Sequence, residues 1–347
     1  MRHTSGVSGR VFSTLGKNNI NVIAIAQGSS ERNISFIVDD EDVNQALIAL
    51  HSEYFDNNDY IADIYLLGVG TVGSELLDII RKESPREISV HAVGSSKKML
   101  IGNNAINLVT AKDDLNKSVI LFELEDFVNT NGGKGSKQKI FVDCTASESI
   151  SKEYVNILNR GFSVVTANKI ANTLDLDYYH SIRDTAKNNN VQFRYETNVG
   201  AGLPIINTLQ GLIATGDKIL SIEGILSGTL SYLFNAFDGQ KPFSALVKDA
   251  RAKGFTEPDP REDLSGMDVA RKILILARET GVKLELKDIS VESLIPAELD
   301  PELSVDRFLD RLAKYDENFQ KQLEKATAGQ KVLRYIGSWD GEKAKVG

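Results

Sequence analysis

Cysteine is all but missing from this sequence: Cys144 is the only one in 347 residues. An intrachain disulfide is therefore impossible, and a zinc site built on thiolates has no ligand set. Both suit a reducing cytoplasm. Histidine is scarce as well. His3, His51, His91 and His180 sit in segments with no other catalytic sign, so a Cys–His nucleophilic pair is not in evidence. No run approaches the roughly 18 apolar residues needed to cross a bilayer. Residues 1–10 are polar and lack the basic segment and apolar core of a signal peptide. Positive charge is also in deficit, with a formal net charge of −8. Nucleic acid and anionic membranes are poor partners for such a surface. An anionic cofactor is not excluded, because a few local cations can hold one.

Apolar residues, by contrast, are plentiful and evenly spread. The chain is 41% hydrophobic and 25% charged, enough for two or three domains with their own cores. The first 55 residues read as helix, strand, strand, helix. Val7, Val11, Phe12 and Leu15 have helical spacing, stopped by Gly16 and the Asn18–Asn19 pair. Residues 20–26 alternate as a strand whose two faces are both apolar. Ile34, Phe36 and Val38 alternate in a second strand. Val43, Ala46, Leu47 and Leu50 then form one helical stripe. The stretch GVSGRVFSTLGKNNINVIAIAQGSSERNISFIV and the helix after it resemble the end of an ACT domain, a small regulatory fold of amino-acid metabolism. The opening strand of such a domain is not present, so a partial unit is expected. Asp56, Asn57, Asn58 and Asp59 make a turn-prone break.

From Ile61 the pattern changes to strand, glycine turn, helix, strand, the signal of a parallel α/β sheet. Ile64–Leu67 leads into Gly68-Val69-Gly70-Thr71-Val72-Gly73, and residues 74–81 read as a helix. In this motif the first glycine permits the tight turn, the second admits a pyrophosphate, and the third lets helix and strand pack closely. The helix N-terminus faces the phosphates, so Gly68, Gly70, Thr71, Val72 and Gly73 are the candidate cofactor contacts. A bare GxGxxG is weak evidence. The strand before it and a second strand over residues 88–93 make it strong. About 20 residues on, where an NAD site usually places a carboxylate, the sequence has Gly94-Ser95-Ser96-Lys97-Lys98. No carboxylate is there to repel a 2′-phosphate and Lys97 and Lys98 could pair with it, which favours NADP over NAD, with Ser95 and Lys97 as candidate contacts. The alternative is that the lysines are solvated loop charges. Phe141-Val142-Asp143 ends another strand. Thr145, Ala146 and Ser147 follow it at the strand's carboxyl end, where ligands of open sheets sit. Cys144 reads as a small buried residue rather than a nucleophile. Residues 129–139 read as a solvated loop.

The most informative stretch is ARAKGFTEPDPREDLSGMDVARK, residues 250–272. A loop with two prolines carries Glu257, Asp259, Glu262 and Asp263, and a helix is expected from Leu264 or Ser265. Asp268 and Lys272 then share one face at i and i+4, with Val269, Ile273 and Leu276 buried on another. Taken alone the pair could be a surface salt bridge. Beside several carboxylates, it also fits a site where acids hold a substrate ammonium and a lysine moves a proton at a carbonyl.

The spacing Ala250-x3-Gly254-Phe255-Thr256-x2-Asp259-Pro260-x2-Asp263-Leu264-x-Gly266-x-Asp268-x3-Lys272 matches the homoserine dehydrogenase signature at every defined position, and the chain resembles that family, as the C-terminal part of a bifunctional aspartokinase/homoserine dehydrogenase. The resemblance implies that Glu257 and Asp268 contact the substrate, that Asp263 shapes the site, and that Lys272 transfers the proton. It implies a second active-site lysine at Lys169, within Val164-Val165-Thr166-Ala167-Asn168-Lys169, near both nicotinamide and substrate. Residues 196–204 resemble the family's monovalent-cation loop, in which the Glu196 side chain and the carbonyls of Val199, Ala201 and Leu203 would hold sodium. The plain alternative is a glycine-rich turn before a helix. Residues 225–230 resemble the segment beside the nicotinamide ribose, with Gly228 allowing close approach and Thr229 offering a hydroxyl.

The expected architecture is thus a Rossmann-type α/β domain over residues 57–200 and an α+β substrate and dimerisation domain over 201–330. A partial ACT-like unit precedes them over 1–56. Residues 331–347 are expected to begin a truncated return to the nucleotide domain. The implied reaction is the NAD(P)-dependent interconversion of L-aspartate 4-semialdehyde and L-homoserine in a homodimer or homotetramer, with threonine as an effector at the ACT unit. A rival from another class is an inert fragment acting as an amino-acid-binding regulatory or assembly module. A third option, an aspartate-semialdehyde dehydrogenase, would need a reactive cysteine.

Overall fold

The computed structural model describes residues 6–27, 33–54, 62–83, 85, 87–102, 105–130, 138–299 and 302–347. The turn at residues 56–59, most of the loop at 129–139, and residues 1–5 fall outside the described residues. Among the described residues no helix is long and apolar enough to cross a membrane.

The N-terminal unit has the expected element order. The Val7–Lys17 helix ends where Asn19 turns left-handed (φ 58°). The side chain of Asn18 donates to Thr14 O (2.8 Å) and the Ile20 amide to Leu15 O (3.0 Å), satisfying carbonyls of the last turn. Strands β1 (Ala24–Gln27) and β2 (Ile34–Ile37) pair antiparallel. Two expectations change here. On the Val43–Tyr54 helix, Ala46 and Leu50 pack inward, but Val43 and Leu47 face outward, as Leu47 is 63% exposed. Ile23 and Ile25, which make the second face of the 20–26 strand apolar, are exposed too. A two-stranded sheet and two helices cover one layer only, so the apolar positions on the far faces stay exposed among the described residues.

The next body is a six-stranded sheet in the order β5-β4-β3-β6-β7-β8. Its strands are β3 (Ala62–Leu67), β4 (Ile88–Gly94), β5 (Met99–Ile101), β6 (Gln138–Asp143), β7 (Phe162–Thr166) and β8 (Phe193–Arg194). All neighbours are parallel except β5, which pairs antiparallel at the edge. Tyr65, Leu66 and Leu67 are buried, as a central parallel strand covered on both faces requires. Register sets up the site. Leu67 pairs with both Gly94 and Asp143, and Asp143 pairs with Thr166. The carboxyl ends of β3, β4, β6 and β7 are therefore level, and the loops after them emerge along one edge.

The last body is a four-stranded sheet, β10-β12-β11-β9, made of β9 (Ile222–Gly224), β10 (Ser290–Val291), β11 (Gly337–Trp339) and β12 (Ala344–Val346). Residues 331–347 thus do not turn back toward the nucleotide domain. Trp339, Ala344 and Val346 are buried in the substrate-domain core, and that burial holds β11 and β12 in its sheet. The Met267–Glu279 helix packs on this sheet and is buried nearly all round, from Val269 to Arg278. The single helix expected from Leu264 is in fact two, Pro260–Leu264 and Met267–Glu279. They break at Gly266 (φ 76°), where a Cβ would sit 2.0 Å from the Tyr335 hydroxyl. Glu262 and Asp263 accordingly lie on the short first helix, whose N-cap is Asp259 with Pro260 at its first position.

Candidate active site

The three glycines of the 68–73 turn do three different jobs. Gly68 has φ 97°, and a Cβ there would lie 2.8 Å from the Cys144 backbone. At Gly73 a Cβ would fall 1.8 Å from Gly68 O, so only glycine lets the Thr71–Glu83 helix close on its strand. Gly70 faces open space, with nothing within 4 Å of a Cβ. With exposed Thr71 and Val72 it forms an open helix N-terminus, the setting that takes a pyrophosphate.

At the end of β4, Ser95 Oγ accepts from the amides of Lys97 (3.3 Å) and Lys98 (3.1 Å) and donates to Lys98 O. Its hydroxyl therefore shapes the turn. Lys98, read with Lys97 as a partner for a 2′-phosphate, instead donates to Asn116 O (2.8 Å). Lys97 is left as the exposed cation of the pair.

After β6, Thr145 Oγ1 accepts from the Ser147 amide, and Ser147 Oγ caps the next short helix at the Ile150 amide. Beneath them lies a buried hub that the sequence reading did not single out. Asp143 accepts from Tyr154 Oη (2.5 Å), the Thr145 amide (2.7 Å) and Asn168 Nδ2 (3.3 Å). Burial pushes its carboxyl above the ordinary range, against the opposing pull of those bonds. One carboxyl thus ties the loop of Thr145 to the loop of Lys169. The only sequence hint was an acid ending a buried strand.

The two lysines and the acids meet in one cleft of about 670 Å³, lined by Lys169, Glu257, Glu262, Asp263, Asp268 and Lys272 together with Gly228, Thr229, Tyr232 and Phe255. Asp268 stands between the lysines, 2.7 Å from Lys272 Nζ and 3.3 Å from Lys169 Nζ. Burial works to raise the Asp268 carboxyl, but the two ammonium groups outweigh it and hold the carboxyl below its ordinary range. Lys272 also donates to Leu226 O (2.6 Å) and keeps only 16% of its side chain exposed. The i, i+4 pair is therefore set in the wall of the cleft. Asp263 accepts from the Glu257 amide (2.8 Å), fixing the loop that carries Glu257. Burial first, then Glu257, Asp259 and Asp263, push Glu262 up. Thr229 donates to Phe255 O (2.7 Å). Tyr232 and Phe255 make an edge-on pair in the same wall; Tyr232 belongs to a helix pattern that gave no chemical signal, and Phe255 stood in the signature without a role. A second cavity of about 390 Å³ joins Lys169 and Asp268 to Thr145, Ala146 and Asn168. It shares Lys169, Glu262 and Asp268 with the cleft, and its Thr145 packs against Gly68 of the nucleotide turn.

Comparison with known proteins follows the same division. Residues 204–347 match the family profile described as "Homoserine dehydrogenase", residues 68–196 match "Homoserine dehydrogenase, NAD binding domain", and residues 1–54 match "ACT domain". The whole chain aligns at 43% identity with the bifunctional aspartokinase/homoserine dehydrogenase of Haemophilus influenzae, covering 43% of that protein. The chain belongs to the homoserine dehydrogenase family. A Candida auris protein of unknown function shares the fold at 34% identity and a TM-score of 0.74, with 82% of this chain and 83% of that one covered. The homoserine dehydrogenase of Thermoplasma acidophilum aligns at 26% identity and a TM-score of 0.59, with 82% of each chain covered. The chain spans less than half the length of the Haemophilus relative.

Two features of this homoserine dehydrogenase family member bear on the remaining expectations. Burial, then the neighbouring Asp143, push the Cys144 thiol up to about 11, which removes it as a thiolate nucleophile at neutral pH. Glu196, expected to ligate a cation, accepts from the Ile206 amide (2.8 Å) with one oxygen and the Asn207 amide (2.9 Å) with the other. It caps the Ile205–Ala214 helix. Glu196→Ala should therefore cost about 1–2 kcal/mol, read as a lower Tm in thermal unfolding; an unchanged Tm would refute the capping role. Among the described residues no group of three or more His, Cys, Asp and Glu could hold a metal.

Proposed function

We propose that this chain is a homoserine dehydrogenase, reducing L-aspartate 4-semialdehyde reversibly to L-homoserine with NADPH. The Lys272–Asp268–Lys169 row, in a cleft that shares Lys169 and Asp268 with the cavity at Thr145 and Ala146, carries the reading. The residues present suit the cofactor: an open helix N-terminus at Gly70–Val72 for the pyrophosphate, Thr145 and Ala146 flanking the second cavity, and Gly228 and Thr229 in the cleft wall. When bound, the nicotinamide supplies the hydride for the aldehyde carbon.

The protein's own part is binding and proton handling. Four carboxylates (Glu257, Glu262, Asp263, Asp268) face two ammonium groups in the cleft, an excess of acid suited to a substrate ammonium. Lys272 uses two of its three N–H donors on Leu226 O and Asp268. The third is available for the oxygen that becomes the alkoxide. Glu257 and Asp268 fix the amino acid's orientation, largely a proximity effect. NADPH oxidation followed by absorbance with L-aspartate 4-semialdehyde tests the activity; no oxidation above background would sink it.

NADP preference follows from Lys97 and the lack of a carboxylate after β4. Lys97→Glu should lower the ratio of kcat/KM for NADPH over NADH by about tenfold or more, on the order of 1.4 kcal/mol. An unchanged ratio would make Lys97 a solvated loop charge.

Sodium at Glu196, Val199, Ala201 and Leu203 is proposed from the loop's likeness to the family's cation site. Glu196 would share its remaining lone pairs, and Gly200 and Ala201 are both left-handed, at φ 83° and 53°. Replacing sodium by choline would then lower Tm. A second reading, effector binding of threonine at the ACT unit, is favoured by the match over residues 1–54; calorimetric titration tests it. Apolar side chains exposed at Ile25, Leu47, Leu203 and Leu220 support a homodimer or homotetramer, to be read by light scattering. The low-cysteine, acidic chain supports a cytoplasmic location.

A further inference from the structure

Lys169 and Asp268 lie 3.3 Å apart, yet they come from different bodies: one from the loop after β7, the other from the helix Met267–Glu279. Something must fix that distance. The Lys169 loop continues into a short turn, Ala171–Thr173, that is buried throughout. The same helix that carries Asp268 reaches this turn with two guanidinium groups. Arg271 Nη1 donates to Thr173 Oγ1 (2.5 Å). The single hydroxyl hydrogen of Thr173 is in turn shared between Ile170 O (3.1 Å) and Lys169 O (3.2 Å). One hydroxyl therefore couples the arginine to the backbone of the lysine itself. Two helical turns further on, Arg278 donates to Asn172 O (3.0 Å) and Leu174 O (2.7 Å). It is anchored from behind by Leu284 O and Glu285. Residues seven apart on a helix share a face, so both arginines grip the turn from one side.

We infer that Arg271, through Thr173, is a positioning residue that holds Lys169 against Asp268 across the boundary between the nucleotide and substrate domains, with Arg278 as the rigid second jaw of the clamp. The inference rests on the proposed dehydrogenase activity. Its chemistry is geometric: a guanidinium offers donors in a fixed planar fork, and Thr173 passes that constraint to a carbonyl one bond from the Lys169 Cα. Misplacing a reacting group by about 1 Å costs about a hundredfold. Other holds on the loop and its turn come from the nucleotide domain itself, through Asn168 to Asp143 and Ser147 and through Asn172 to Asn198 and Arg183. Those set Lys169 against the cofactor side and carry no information about the position of Asp268.

In the 347-residue chain, Arg271→Met should lower kcat about tenfold to a hundredfold, with KM for the aldehyde and Kd for NADPH within about twofold of wild type. Arg271→Lys should recover much of the loss, because an ammonium can still donate to Thr173. Thr173→Val keeps the shape and removes the hydroxyl. It should match Arg271→Met, and the double variant should fall no further, since both break one link. Wild-type kcat in either single variant, or losses that multiply in the double variant, would overturn the clamp. Absence of turnover in the wild type would instead refute the proposed activity. Hydrogen exchange then decides the clamp alone: faster exchange at the amides of Ile170, Thr173 and Leu174 in Arg271→Met supports it, and an unchanged rate refutes it.

Discussion

Lys272→Ala should lower kcat by about 10²–10⁴-fold, the usual worth of a positioned proton donor, while NADPH binding stays close to wild type. The ammonium sits in the cleft wall on Asp268 and Leu226 O, and the open Gly70–Val72 end where the pyrophosphate would bind is not part of that wall. The substitution removes the donor and leaves the nucleotide turn untouched. Asp268 keeps its contact with Lys169, so the carboxylate is not stranded without a cation. The two quantities are separable: kcat from NADPH oxidation at saturating aldehyde, and Kd from quenching of protein fluorescence by NADPH. Wild-type turnover would take the proton-transfer role away from Lys272. A large loss of NADPH affinity would show that the substitution had disturbed the fold.

The second large effect separates two glycines three residues apart. Gly73→Ala places a methyl group 1.8 Å from Gly68 O, a backbone atom that cannot move aside without opening the turn. Overpacking of this kind typically costs about 1–3 kcal/mol, and more where backbone must shift. Both Tm and NADPH affinity should fall, the latter by about a hundredfold. Gly70→Ala meets nothing within 4 Å, so Tm should hold within about a degree, in keeping with a surface substitution. Affinity should still drop, because the added methyl group occupies the space where a pyrophosphate approaches the backbone. Thermal unfolding and NADPH titration on the two variants read this directly. Equal Tm losses, or full binding by Gly70→Ala, would contradict the division of labour in the turn.

Much of the site was legible because it is local in sequence. The strand, glycine turn and helix at 64–81 are one continuous unit, and each glycine's role follows from its place in it. Asp268 and Lys272 share a face through helical geometry alone, and Gly254 through Lys272 span fewer than 20 positions. The failures share the opposite property. Val43 and Leu47 are apolar at helical spacing, and nothing local says that the unit lacks a layer to cover them. Residues 331–347 join the substrate sheet through pairing of β11 with β9, strands more than 100 residues apart. At the Gly266 break, the Tyr335 hydroxyl that leaves no room for a Cβ lies 69 positions away.

By itself the sequence determined the chemistry available: a glycine turn open to phosphate, an acid-rich strip with one lysine on a helix face, a second lysine at a strand end, and a single cysteine, too few for a disulfide. Tertiary structure alone decided which of these groups meet. It placed Lys169 beside Asp268, linked Arg271 to Thr173 across 98 positions, turned Lys98 away to Asn116, and gave the Glu196 carboxylate to a helix end. Residue type and short spacing fix what a side chain can donate or accept. Which partner it finds depends on strand register and domain packing, which bring distant segments within 3 Å and leave no trace in the local pattern.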